Sequence, residues 1–170
     1  MIKGEGTDID TKLLEVILNE NDFYEKQSQK MLKDETMRLM AEVVEGWSVE
    51  IAKDEMRINE EEIGMYTAKL LPFGSYVLDL RSNSSDIDFI CVCPNFIQRD
   101  THFFKGLTMK LQARPEITLL SARTSAKVPI ITFHYKDIEI DISFCQLQTE
   151  TLPRDIEKTI SLDLLGNIKD

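Results

Sequence analysis

The sequence predicts an α+β fold in which a mixed, twisted β-sheet of about five strands packs against helices. Three observations predict it. Apolar residues recur at helical spacing through the first third of the chain, and the later part breaks into short runs that alternate polar and apolar side chains. Two of those runs are also separated by only Lys136-Asp137, a gap that suits a tight hairpin. A chain of 170 residues with 42% hydrophobic side chains is long enough for one buried core and short for two. It is therefore read as a single domain: a helical layer over 1–64, a sheet over 65–150 and a helical exit segment over 151–170.

In chain order, Leu13, Leu14, Ile17 and Leu18 follow a cap at Asp10 or Thr11 and predict a short amphipathic helix. A longer helix is expected from Asp22 to Met56. Leu32, Leu39, Val43, Trp47 and Ile51 form its apolar stripe, Met40 and Val44 flank it, and Trp47 is its anchor. Glu60 to Glu62 and Gly64 end that pattern. Strands are predicted at Tyr66–Leu71, Ile87–Val92, Ile117–Ser121, Pro129–Tyr135 and Ile138–Phe144, the last two forming the hairpin. Phe103, Phe104, Leu107 and Leu111 predict a helix from Arg99 to Ala113, stopped by Pro115. Ile156, Ile160, Leu164 and Leu165 give the tail one or two short helices.

Composition narrows the function classes. No apolar run approaches the roughly 18 residues of a bilayer span, and the acidic Met1–Asp10 start has no signal-peptide core, so a soluble, unprocessed protein without membrane contact is expected. Cys91, Cys93 and Cys145 are an odd set within apolar segments and read as buried free thiols without a chemical role. The formal charge is −10, which opposes binding of polyphosphate backbones. It is unevenly spread: residues 1–70 hold 17 acidic and 9 basic side chains. Arg99, Lys105, Lys110, Arg114, Arg123, Lys127 and Lys136 then face only Asp100 and Glu116 within 99–136. Any phosphate-facing surface is expected there, unless these are ordinary solvated positions.

The chemistry-bearing residues are carboxylates on strands. In Asp86-Ile87-Asp88-Phe89, alternation projects Asp86 and Asp88 from one face. In Ile138-Glu139-Ile140-Asp141-Ile142-Ser143-Phe144 it puts Glu139, Asp141 and Ser143 opposite four apolar residues. Asp141 can thus meet the first two carboxylates across the sheet, and three hard oxygen donors suit Mg2+ or Mn2+. Upstream, Leu71-Pro72-Phe73-Gly74-Ser75-Tyr76 ends a strand with a glycine and a small hydroxyl residue, letting backbone amides approach phosphate oxygens. A phosphate cradle beside a metal site suggests a nucleoside triphosphate. Each part alone has an ordinary reading as a turn or a wetted strand face, and it is the conjunction and order of the parts that carries the inference. His102 and His134 read as a helix-surface and a strand residue rather than ligands.

These blocks resemble those of poly(A) polymerases, particularly the nuclear eukaryotic type, within the polymerase-beta-type nucleotidyltransferases. Phe73-Gly74-Ser75-Tyr76 followed by Ser85-Asp86-Ile87-Asp88 is similar to the family's first two blocks. Val128-Pro129-Ile130-Ile131 followed by Ile138-Glu139-Ile140-Asp141-Ile142 is similar to its third. Leu152-Pro153-Arg154-Asp155-Ile156 and Leu164-Leu165-Gly166-Asn167-Ile168 resemble segments that lead into the family's central helical domain. There are departures: Val77 and Asp79 stand where many relatives have Arg and Gly, and Thr132 where a Lys often follows. Ser84-Ser85 is also similar to the cytoplasmic and noncoding-RNA tailing branch, so the motif leaves the subfamily open.

The resemblance implies addition of adenylate from ATP to an RNA 3′ end with release of pyrophosphate. Asp86, Asp88 and Asp141 are then the catalytic and metal-binding residues for two Mg2+ or Mn2+ ions, and Phe73, Gly74, Ser75 and Ser85 contact the nucleotide. It further implies a nuclear monomer that meets 3′-end processing factors, with the central and RNA-binding domains lying beyond this chain. The catalytic piece alone would then be weakly active or inactive, and its acidity would be offset elsewhere. Alternatives are another terminal transferase (uridylyl, CCA-adding or oligoadenylate-forming) and a catalytically silent nucleotide- or protein-binding module.

Overall fold

The structure is a computed structural model that describes residues 12, 27–59, 61–73, 86–125, 128–153 and 156. The helix expected around Leu13–Leu18 and nearly all of the tail lie outside the described residues, as do Gly74, Ser75, Val77, Asp79 and Ser85.

Helix α1 (Gln27–Met56) carries the predicted stripe, but the line of deepest burial runs through the residues taken as its flanks. Met40 and Val44 are fully enclosed with Trp47, whereas Leu32, Leu39 and Ile51 are half-buried at the margins. Thr36 and Ser48 share the buried side because their hydroxyls are satisfied locally, donating to Leu32 O at 2.7 Å and Glu45 O at 2.9 Å. Ser48 Oγ also accepts the Ala68 amide at 2.9 Å, fixing where the chain enters the sheet. Arg57, with φ of 51°, turns the chain out of the helix. A 3-10 turn at Ile63–Met65 follows.

Five strands form one sheet in the order β1-β2-β5-β4-β3. They are β1 (Lys69–Phe73), β2 (Ile87–Cys93), β3 (Ile117–Arg123), β4 (Ile130–Tyr135) and β5 (Ile138–Gln146). The central β2–β5 pair is parallel and every other pair antiparallel, so the expected mixed sheet is present. All five predicted strands exist, with shifted ends. β1 starts three residues later than expected, because Tyr66 and Thr67 belong to the turn that Thr67 Oγ1 closes by donating to Gly64 O at 3.0 Å. β3 and β5 run two residues further than their apolar patterns suggested, their ends being set by backbone pairing.

Between β2 and β3 the expected helix forms in two parts. Arg99–Leu107 is wound as a wide π-type helix, with the Phe103 amide donating to Gln98 O five residues back at 3.1 Å, and it tightens into α2 (Thr108–Gln112). The widened turn brings Gly106 against α1: a Cβ there would lie 3.1 Å from Trp47 Nε1. His102 is not a bare surface residue as expected. Its Nδ1 accepts the Gln98 amide at 2.9 Å and its Nε2 lies 3.1 Å from Glu55, so it closes the start of this helix and ties it to α1.

The helices and one sheet face enclose the main core, centred on Phe89, Phe103, Phe133, Ile140 and Ile142. A smaller cluster lies under the other sheet face, where Leu71, Val92 and Leu147 meet Leu152 and Ile156 of the segment leaving β5. The Leu152 amide donates to Met65 O at 2.7 Å and holds that segment in place. Among the described residues no helix is long and apolar enough to cross a membrane.

Candidate active site

Alternation along the strands sends Asp88, Asp141 and Thr132 to the face opposite the helices, and the register brings them into one row. Phe73 pairs with Asp88, Asp88 with Asp141, Asp141 with Thr132, and Thr132 with Ser121. The next row along the face holds Leu71, Ile90, Ser143, Ile130 and Arg123. Leu152 and Ile156 cover the apolar β1–β2 side of this face, which places the carboxylates beside a covered end and not beneath it.

Asp88 and Asp141 therefore face each other across the two central, parallel strands, as the sequence predicted. Asp86 lies just before β2 and is solvent-exposed. Partial burial first, then the negative charges of Asp141 and Asp86, push the Asp88 carboxyl above its ordinary range. Asp141 Oδ1 is buried and has no hydrogen-bond partner among the described residues. Among the described residues no three His, Cys, Asp or Glu side chains are already gathered into a metal cage. The donor set nonetheless fits one, since Asp88 and Asp141 are directly paired and the exposed Asp86 lies two residues before Asp88. Oxygen-only donors and an orphaned carboxylate oxygen suit a hard divalent cation.

Of the proposed nucleotide contacts, Phe73 ends β1 directly opposite Asp88 and is exposed. Gly74, Ser75 and Ser85 fall outside the described residues. Glu139, taken as support, sits 3.8 Å from His134 across the hairpin, and Ser143 donates to Phe89 O at 3.1 Å. Buried Thr132 was noted in the sequence only as a departure from relatives, yet it stands next to Asp141 with its own hydroxyl unpartnered. The signal was present: counting back from a two-residue turn at Lys136-Asp137 pairs 135 with 138 and 132 with 141.

The basic stretch is divided between surroundings, and its Lys127 lies outside the described residues. Lys110 pairs with Glu50 at 2.7 Å, Lys136 approaches Glu35 at 3.7 Å, and Arg99 pairs with Asp100 at 3.3 Å. Lys110 and Lys136 thus answer α1, on the helical side of the sheet. Arg123 is on the carboxylate face, exposed at the β3 edge. The cysteines are free as expected, and burial raises the thiols of Cys93 and Cys145, which keeps them protonated and inert.

The family model of the poly(A) polymerase nucleotidyltransferase domain matches residues 5–170. This chain belongs to the poly(A) polymerase nucleotidyltransferase domain family. Poly(A) polymerase pla1 of Schizosaccharomyces pombe is 36% identical over 152 residues, covering 88% of this chain and 26% of that protein. Nuclear poly(A) polymerase 1 of Arabidopsis thaliana is 30% identical over 149 residues, covering 88% of this chain and 21% of that protein. The chain thus spans only about a fifth to a quarter of these poly(A) polymerases. Among solved structures, Cid1, described by its RNA terminal uridylyl transferase activity, superposes with a TM-score of 0.58 at 20% identity, covering 79% of this chain and 36% of that one. That likeness supports the nucleotidyltransferase fold.

Proposed function

We propose that this domain is the catalytic part of a template-independent RNA 3′-end adenylyltransferase. The observation that carries the reading is the β2–β5 register, which sets Asp88 opposite Asp141 on the sheet face opposite the described helices, with Asp86 two residues upstream. Asp86, Asp88 and Asp141 are the residues that would hold the Mg2+ or Mn2+ ions. When bound, such ions activate the attacking hydroxyl and neutralise charge on the triphosphate and its leaving group. The chain's own residues place those oxygens: rigid strands fix Asp88 and Asp141, and Phe73 with Gly74 and Ser75 seats the triphosphate at the β1 end of the row. The RNA 3′-hydroxyl then bonds to the α-phosphorus, the bond from that phosphorus to the β-phosphate oxygen breaks, and pyrophosphate leaves. The hydroxyl proton passes to solvent.

The whole enzyme supplies what this acidic domain lacks. The relatives are about four to five times as long as the segment they share with it, so a charge of −10 on the catalytic domain is compatible with RNA held mainly by other domains. We place the enzyme in the nucleus, as a monomer that works with 3′-end processing factors, because relatives are named nuclear poly(A) polymerases. The test is primer extension by the full enzyme with ATP or UTP as sole nucleotide. Adenylate tails that vanish in Asp141→Asn support the reading. Preferential uridylate addition replaces it with a uridylyl transferase, and near-normal extension by Asp141→Asn overturns the assigned chemistry.

A further inference from the structure

Two buried oxygens face one another in this site with nothing bonded to either. Thr132 is 8% exposed and Thr132 Oγ1 has no hydrogen-bond partner, and the same holds for Asp141 Oδ1, directly opposite on the neighbouring strand. Two such orphans side by side are unusual, because buried polar atoms are nearly always paired. They are also complementary: an ionised carboxylate only accepts, while a hydroxyl can donate. Directly opposed residues on antiparallel strands have Cβ atoms about 4.5–5.5 Å apart, so a change of threonine rotamer brings its hydroxyl within hydrogen-bond range.

We propose that Thr132 is a positioning residue for Asp141. Its hydroxyl donates to one carboxylate oxygen when a divalent cation occupies the site, leaving the other oxygen turned to the cation. The neighbouring groups leave this role to Thr132 among the described residues. Ser143, the other hydroxyl on Asp141's side of β5, is engaged with Phe89 O. His134 and Glu139 approach each other two pairs nearer the hairpin turn, and Ser121, beyond Thr132, is exposed on β3. A hydroxyl suits this place because it orients the carboxylate without neutralising it.

The inference rests on the proposed metal site, and binding of Mn2+ alone tests it. Mn2+ affinity is measured by electron paramagnetic resonance of the free ion for the 170-residue chain, Thr132→Val, Thr132→Ser and Asp88→Asn, with metal-free melting temperatures alongside. Thr132→Val keeps the shape of the side chain and is expected to bind Mn2+ about tenfold more weakly, a typical loss when a group orienting a metal ligand is removed. Its metal-free melting temperature should not fall, since an unpartnered hydroxyl has been deleted. Thr132→Ser should restore affinity to within about twofold of wild type, which a purely space-filling role for Thr132 does not predict. Thr132→Ala repeats the comparison if valine does not pack. Wild-type Mn2+ affinity in Thr132→Val, with binding lost in Asp88→Asn, overturns the role of Thr132 and leaves the metal site standing. Equal binding by wild type and Asp88→Asn removes the metal site and this proposal with it.

Discussion

Asparagine at position 141 fills nearly the same space as aspartate but loses the charge that a cation needs. If metal-borne stabilisation of the reaction is worth several kcal/mol, Asp141→Asn in the full enzyme should slow RNA extension by about a thousandfold. Much of the metal-dependent triphosphate affinity should survive, because Asp86 and Asp88 remain. Single-turnover extension and equilibrium nucleotide binding separate the two effects, and parallel losses would place Asp141 in triphosphate binding. Asp88 has a different signature. Its carboxyl is raised, so the folded state holds the proton more tightly than the unfolded chain, and ionisation of Asp88 subtracts stability as pH rises through the carboxylate range. Asp88→Asn removes that penalty at neutral pH. The metal-free melting temperature should rise by about 2 °C, the shift expected for well under 1 kcal/mol in a domain of this size. The common face of Asp88 and Asp141 was legible in the sequence because strand alternation makes side-chain direction a matter of counting. Asp86 lies before β2, where alternation no longer dictates direction.

At the scale of elements, the strand pattern was readable because β1, β2, β4 and β5 carry a buried face, whereas β3 holds no fully buried residue. Register was readable only where a turn sets it. The two-residue turn at Lys136-Asp137, with Lys136 at φ 54°, determines all the β4–β5 pairs. The β2–β5 pairing joins strands separated by two helical segments and two other strands, and nothing local specifies it. The π-type winding of Arg99–Leu107 was likewise hidden, because Phe103, Phe104 and Leu107 fit an ordinary helix equally well; the wound segment packs Gly106 against Trp47. Gly106→Ala should therefore destabilise the domain by about 1–2 kcal/mol, despite the gain in helix propensity, since a packed indole cannot yield to the new methyl. Urea unfolding measures this, and a stabilised variant would show that the contact relaxes freely. In β3, Leu119 has φ of 53°, is 75% exposed and lies in the irregular stretch between Thr118 and Ser121. Leu119→Gly relieves left-handed strain and loses little packing, so a net gain of about 0.5 kcal/mol is expected by the same method.

Across the whole molecule, charge is divided between two faces. Lys110 and Lys136 are drawn to acids of α1 on the helical side, and the opposite face presents Asp88 and Asp141 in a single row. Counting basic residues along the chain could not show that division, because sequence proximity says nothing about which side of a sheet a helix covers. A domain with paired carboxylates on its open face should be stabilised by the ion it is built to hold. Mn2+ at about ten times its dissociation constant should raise the melting temperature by roughly 3 °C, and NaCl of equal ionic strength should not reproduce the shift. Asp88→Asn should abolish the response. The most direct test of the central claim is a crystal grown with Mn2+ and a non-hydrolysable ATP analogue, with the ions located by anomalous scattering. Two peaks about 3.5–4 Å apart among Asp86, Asp88 and Asp141, with the triphosphate against Gly74 and Ser75, are the predicted result. A triphosphate bound elsewhere, or Asp141 turned away from Asp88 with no ion between them, would contradict it.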